Sequence, residues 1–258
     1  MNTDSKLALI TGSARGLGFD MARHLGELGH QVVVSDLEDG AVADAVDSLS
    51  ELGINAIGKT LDVTDAELVS AVFDSLRQEF GGVDILINNA GICKDTPALE
   101  VPLTLWQKNL DIMLTGALSC VQSAAPDMIE KRWGRIINMA SQMSFTAYGR
   151  DVAYCTAKAG ILGLTRSLAV ELGPHGITVN AICPGLIQST MLDEVGKKVE
   201  KRDGLAEGEF LRSKALATPR RRIGECADVS NLAAFLCSDK SDYIHGQSIH
   251  INGGLLLT

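Results

Sequence analysis

The run Leu7-Ala8-Leu9-Ile10-Thr11-Gly12-Ser13-Ala14-Arg15-Gly16-Leu17-Gly18 decides the fold. Its first four residues have the length and character of a buried strand, and the glycines that follow cannot continue one. Beyond them Phe19, Met21, Ala22, Leu25 and Leu28 recur at helical spacing, and Gly29 supplies a stop. A strand, a glycine-rich turn and a helix form the setting of a phosphate-binding loop. Glycines let the backbone approach a pyrophosphate, whose charge then rests at the helix N-terminus. The spacing Gly12-x-x-x-Gly16-x-Gly18 differs from the commoner Gly-x-Gly-x-x-Gly, and a tight turn without a ligand is the plain alternative.

Outward from this stretch, strand and helix patterns alternate along the chain. Residues 31–36 form a second strand ending in Asp36, about 18 residues past Gly18, close to the distance at which an acidic side chain holds a dinucleotide's ribose hydroxyls. A cap for the helix over 41–52 is the other use of Asp36. A third strand over 56–61 ends at Asp62-Val63, and Thr64-Asp65-Ala66-Glu67 has the form of a capping box for a helix that Gly81-Gly82 closes. Strand four, 83–87, leads into Asn88-Asn89-Ala90-Gly91, and a helical pattern over 103–131 contains Pro126, which can bend or break it. Strand five spans 134–141, strand six 177–182 with Pro184-Gly185 turning at its end, and a last helix and strand cover 226–237 and 247–252.

Residues 186–222 depart from the pattern, with a dense charge run followed by Gly204, Gly208 and Arg220-Arg221-Arg222. They read as helical pieces of a flexible flap where a substrate lid sits, or as a surface excursion without a gating role. With no repeat, low-complexity tract or linker, residues 1–258 make a single α/β domain: a doubly wound parallel sheet of about seven strands with helices on both faces. Ligands of such sheets bind beyond the carboxyl ends of the strands, where Gly12, Asp36, Asp62, Asn89, Ser141 and Pro184 all fall.

One helix carries chemistry. In Ala153-Tyr154-Cys155-Thr156-Ala157-Lys158, Tyr154 and Lys158 are four apart and share a helix face. A free phenol, with a pKa of about 10, is a poor base at neutral pH, and an ammonium one turn away is expected to lower it. Ser141, at the end of strand five, stands ready to bond the same substrate oxygen. An amphipathic helix that merely contains a Tyr and a Lys is the alternative.

A formal net charge of −9 and an aromatic fraction of 4% argue against nucleic acid and against an anionic membrane surface as partners. The basic cluster at 220–222 reads as a solvated loop. The polar start Met1 to Lys6 lacks the pattern of a signal peptide, and the six cysteines are scattered singly without metal-ligand spacing. Reduced thiols, a cytoplasmic location, no membrane and no metal are the expectations.

The set Thr11-Gly12-x-x-x-Gly16-x-Gly18, Asn88-Asn89-Ala90-Gly91, Ser141, Tyr154-x-x-x-Lys158 and Pro184-Gly185 closely resembles the short-chain dehydrogenase/reductase family over residues 6–254. The resemblance implies a Rossmann-type fold, with Tyr154 as general acid/base, Lys158 lowering its pKa and holding the nicotinamide ribose, and Ser141 positioning the substrate oxygen. It also implies cofactor contacts from Gly12, Arg15, Gly16, Leu17, Gly18, Asp36, Leu37, Asp62, Val63, Asn89, Ala90, Gly91, Tyr154, Lys158, Pro184, Gly185 and Ile187. Ser189 stands where the family usually has Thr.

One residue departs from the family pattern. The slot ahead of Leu114-Thr115-Gly116 usually holds a catalytic Asn and is here Met113, whose thioether is a weak acceptor. Asn109 and Asp111 do not share its helical direction. A rerouted proton relay or weakened catalysis is expected. Arg15 sits where NADP-preferring relatives carry a base, and Asp36 where NAD-preferring relatives carry an acid. A phosphate of about −1.5 to −2 against a carboxylate costs on the order of several kcal/mol, so NAD is expected over NADP.

The resemblance extends to relatives acting on polyols, sugar acids or short hydroxy acids, so hydride transfer between NAD and a small polar secondary alcohol or ketone is the leading reading. An NADPH-dependent 3-oxoacyl-thioester reductase, with 220–222 as a carrier-docking patch, is the alternative within the enzyme class. A dinucleotide-sensing protein without turnover, suggested by Met113, is the alternative outside it. Relatives assemble through the long helix at 103–131 and the Tyr154 helix, which implies a homotetramer.

Overall fold

The computed structural model describes residues 5–257, and of Thr190 and Met191 the backbone alone. Met1 to Asp4, most of the polar start, and Thr258 lie outside the described residues. Seven strands form one parallel sheet in the order β3-β2-β1-β4-β5-β6-β7. They are β1 (Leu7–Thr11), β2 (Gln31–Asp36), β3 (Ala56–Thr60), β4 (Ile85–Asn88), β5 (Gly134–Met139), β6 (Ile177–Pro184) and β7 (Ser248–Ile251). The helices between them are α1 (Gly16–Glu27), α2 (Asp39–Glu51), α3 (Ala66–Phe80), α4 (Leu103–Leu110), α5 (Gly116–Lys131), α6 (Val152–Leu172), α7 (Thr190–Asp203), α8 (Glu209–Ala217) and α9 (Cys226–Cys237).

Alternation along β1 separates the two faces. Ala8 and Ile10 are buried with Met21 and Leu25 of α1, Leu49 of α2, and Val229 and Ala233 of α9. Leu7 and Leu9 are buried against Phe73 and Leu76 of α3, Val121 and Met128 of α5, and Leu172 of α6. A period of two in side-chain direction is what puts helices on both faces of one sheet. Because β1 has β2 on one side and β4 on the other, the crossovers diverge there. The crevice between the first turn and Asn88–Gly91 is the place where such sheets take ligands.

Two local expectations change. The cap of α3 is Asp65, whose carboxylate accepts from the Glu67 and Leu68 backbone N–H groups, and Thr64 is instead held in a turn by Asp62. Residues 103–131 are not one regular helix: a π-helical stretch, Asp111–Thr115, lies between α4 and α5. Pro126 lies inside α5 without ending it. Residues 186–222 contain two helices, α7 and α8, and Ser189 caps the first by accepting from Leu192 N at 3.2 Å. Among the described residues no helix is long and apolar enough to cross a membrane.

Candidate active site

The first turn is tight below and open above. Gly12 and Gly16 have φ of +63° and +60°, a left-handed backbone that favours glycine. A Cβ added at Gly18 would lie 2.4 Å from Gly12 O and 2.7 Å from Asn89 Nδ2, whereas one at Gly16 would meet nothing within 4 Å. Asn89 and Ala90 brace the turn from β4. Their backbone N–H groups both donate to Thr11 Oγ1 at 3.0 Å, and Asn89 Nδ2 donates to Thr11 O and Gly12 O at 2.9 Å. The loop is thereby fixed while the first N–H groups of α1 remain without helical partners, the arrangement that takes an anion.

Asp36 closes β2 beside this cradle. Its carboxylate accepts from Ala14 N at 3.2 Å and from Leu37 N at 2.8 Å, so it is aimed at the turn rather than spent as a helix cap. Arg15 is exposed at the start of α1, and Leu17 packs into the layer of α1, α2 and α9. Further along the strand ends, the Asp62 carboxylate binds Thr64, Val63 is buried, Gly91 lies against Met113, and Ile187 pairs in a short bridge with Gly224 after Pro184-Gly185. The glycine cradle, which a side chain at Gly18 would fill, and the carboxylate at Asp36 fit the pyrophosphate and a ribose of a nicotinamide dinucleotide.

Ser141 ends the loop from β5 in an extended conformation and is buried, its Oγ accepting from Met143 N at 3.1 Å. Tyr154 and Lys158 occupy the first turns of α6, with Lys158 Nζ 5.7 Å from the Tyr154 ring centroid. The Ser141 hydroxyl is near enough to the Tyr154 phenol to act on its titration. Lys158 is 5% exposed and donates to the carbonyl of Met139. The three residues expected to act together are therefore in one place.

Their electrostatics differ from the expectation. Burial pushes the Tyr154 phenol up to about 12, with the Ser141 hydroxyl opposing and Cys93, Cys155 and Asp151 adding to the rise. The anticipated lowering by Lys158 is absent: desolvation brings Lys158 itself down to about 8, so it has given up its proton before the phenol titrates. Tyr154 itself is partly exposed.

Sequence reasoning missed two neighbours of the phenol. Cys93 Sγ lies 3.7 Å from Asp151 Oδ1, and both bear on Tyr154. They come from the loops before α4 and α6, and no spacing motif joins them. The basic cluster is largely engaged: Arg222 binds both carboxylate oxygens of Asp228 at 2.6 and 2.8 Å, and Arg221 donates to Leu216 O. All six cysteines are free thiols.

Comparison with known proteins covers the same span. A family model described as enoyl-(acyl carrier protein) reductase matches residues 12–256. The chain is 36% identical over 254 residues to the 3-oxoacyl-(acyl-carrier-protein) reductase FabG of Staphylococcus aureus, covering 98% of this chain and 99% of the relative. Among solved structures, gluconate 5-dehydrogenase from Burkholderia cenocepacia in complex with NADP and tartrate superposes with a TM-score of 0.89 at 30% identity, covering 98% and 95% of the two chains. L-sorbose reductase from Gluconobacter frateurii complexed with NADPH and L-sorbose does so at 0.93 and 30%, covering 98% and 97%.

Proposed function

The chain belongs to the short-chain dehydrogenase/reductase family, an oxidoreductase family working with nicotinamide cofactors, and we propose that it interconverts a secondary alcohol and a ketone on a small polar substrate with NAD(H). The observation that carries this reading is the meeting of Ser141, Tyr154 and Lys158 beside the glycine cradle. The bound dinucleotide supplies the hydride acceptor or donor. Tyr154 takes the alcohol proton in oxidation and returns it in reduction, and Ser141 holds the same oxygen so that it enters in one orientation. Lys158 stabilises the phenolate form of Tyr154 once its ammonium turns from the Met139 carbonyl toward the cleft.

Asp36 supports NAD over NADP: it is the charged side chain directed at the turn, whereas Arg15 has no side-chain partner among the described residues and projects into solvent. A second reading, NADPH-dependent reduction of a 3-oxoacyl thioester, is favoured by the 36% identity to a reductase of that name. The engaged Arg221 and Arg222 weigh against a carrier-docking patch at 220–222. Exposed Leu103, Leu118, Val152 and Val170 on α4, α5 and α6 support a homotetramer built on those helices, which a monomeric mass in solution would refute.

The deciding experiment follows reduced nicotinamide absorbance on polyols, sugar acids, hydroxy acids and acyl-thioester ketones with each cofactor. Turnover with NAD on one polar alcohol class, lost on Tyr154→Phe by a factor on the order of a hundred or more with NAD affinity kept, is expected. Turnover confined to NADPH and thioesters selects the second reading. Dinucleotide binding without turnover on the whole panel overturns both and selects the sensing protein.

A further inference from the structure

Beside Lys158, between β4, β5 and the π-helical stretch, lies a recess of about 10 Å³ whose walls include Thr11, Asn88, Met113, Ala117, Met139 and Lys158. That is close to the room one water molecule needs. The wall carries an unanswered acceptor. Asn88 is 6% exposed; its Nδ2 donates to Asn138 Oδ1 at 2.9 Å, and Asn138 Nδ2 donates to Thr165 Oγ1 at 3.0 Å. This chain of amides orients Asn88 and leaves its buried Oδ1 without a partner among the described residues. An unmet buried carbonyl costs about 1–3 kcal/mol, which a bridging water removes.

The recess holds the complementary donors. Lys158 has three N–H groups and spends one on Met139 O. Thr11 Oγ1 accepts two backbone bonds and retains a proton to give. Residue 113 offers nothing comparable: Met113 is 2% exposed, and a Cβ at Gly91 would sit 3.3 Å from its sulfur, which is only a weak acceptor. The nearby polar side chains of the same helical region are engaged elsewhere, Asn109 Nδ2 with Leu105 O and Asp111 with Gln107 Nε2.

We infer that Asn88 Oδ1, together with Thr11 and Lys158, holds one ordered water in this recess, and that Asn88 thereby positions the Lys158 ammonium from the strand side in place of a residue at 113. Asn88 is a positioning residue, since it reaches Lys158 only through the water. The bonds to Asn138 and Thr165 make its geometry rigid. Its neighbour Asn89 braces the glycine turn, so the paired amides Asn88-Asn89 serve the two halves of the site from consecutive positions. The kinetic consequence rests on the proposed hydride-transfer reading; the water site does not.

Two measurements test it. A high-resolution crystal structure of the wild-type chain is expected to show a water about 3 Å from Asn88 Oδ1 and within reach of Lys158 Nζ or Thr11 Oγ1. A dry recess, or one filled by a side chain, overturns the inference even if the enzyme turns over. In kinetics, Asn88→Leu is expected to lower kcat by about tenfold to a hundredfold with dinucleotide affinity, read by fluorescence quenching, within about twofold. Adding Met113→Asn, which puts an amide on the other wall, is expected to recover most of that loss. Retained kcat in Asn88→Leu, or a double variant no better than Asn88→Leu, sinks the positioning role, because a purely structural defect at Asn138 is not repaired from position 113. A wild-type chain that holds the water but turns over nothing on the panel supports the water site while overturning the hydride-transfer reading.

Discussion

Lys158 donates to the carbonyl of Met139 while the Tyr154 ring centroid stands 5.7 Å from its nitrogen. The cation that the sequence pairs with the phenol is thus held by the strand that delivers Ser141. Lys158 is buried and Tyr154 partly so, and both shift toward their neutral forms, Tyr154 to about 12 and Lys158 to about 8. At neutral pH Lys158 still carries its proton while Tyr154 is a neutral phenol, so the cation is kept in place against its own desolvation.

Lys158 should therefore cost stability at neutral pH. Its folded pKa lies below the unfolded value, so the unfolded chain binds more protons between about 8 and 10.5 and stability rises with pH across that window. The penalty is complete below pH 8 and gone above 10.5. Lys158→Met is expected to be more stable than wild type by about 1–3 kcal/mol at pH 7, the gap narrowing as pH approaches 10. Urea denaturation of both proteins at pH 7, 8.5 and 9.5 measures it. A gap that stays constant across these pH values would show that Lys158 carries no desolvation penalty.

What the chain revealed in advance followed from local periodicity. The alternation in Leu7–Ile10 and the glycines at 12, 16 and 18 require a strand, a turn and a helix in that order, and the carboxyl ends of the strands then collect the site. What stayed hidden depends on tertiary contact. The π-helical stretch at Asp111–Thr115 leaves no periodic mark in five residues, yet it sets where Met113 points. Thr64 and Asp65 are both good caps, and only the register of α3 selects Asp65. The Met139 carbonyl that takes the Lys158 ammonium has no side-chain signature at all. The fourfold spacing of Tyr154 and Lys158 gave proximity without giving the direction of the nitrogen.

Asp36 should control the choice of cofactor. Its carboxylate is fixed by Ala14 N and Leu37 N, and on the proposed NAD reading it stands against a ribose phosphate. Asp36→Ala removes that repulsion and leaves Arg15 to attract the phosphate. The ratio of kcat/KM with NADP to that with NAD is expected to rise by about a hundredfold. Parallel initial rates with the two cofactors measure the ratio, and an unchanged value would place discrimination elsewhere.

The glycine turn should tolerate no added carbon at Gly18. A Cβ there would lie 2.4 Å from Gly12 O and 2.8 Å from Ser13 Cα, both backbone atoms that can give only by moving the loop. Gly18→Ala is expected to lose about 1–3 kcal/mol of stability and most dinucleotide affinity. Gly16→Ala meets open space and suffers only the strain of φ +60°, so its structural loss should be the smaller. Thermal melts with and without dinucleotide separate the two, and equal behaviour would contradict the packing of the turn.

Asp95 joins three segments of the chain. Its carboxylate binds Arg150, just before α6, and lies 3.6 Å from Arg202 of α7, while Asp95 itself follows the Asn88–Gly91 turn. This side chain ties the 186–222 segment to the segments that carry Tyr154 and brace the glycine turn, beside the contact of Lys214 with the Tyr148 ring. The charges are partly solvated, so the tie is weak and easily broken by salt. Asp95→Ala is expected to raise KM by about threefold to tenfold with a smaller change in kcat, and to speed amide exchange in α7. Raising ionic strength should reproduce the KM effect in the wild type and leave the variant unmoved. An unchanged KM together with unchanged exchange would make the 186–222 segment a fixed surface excursion and not a lid.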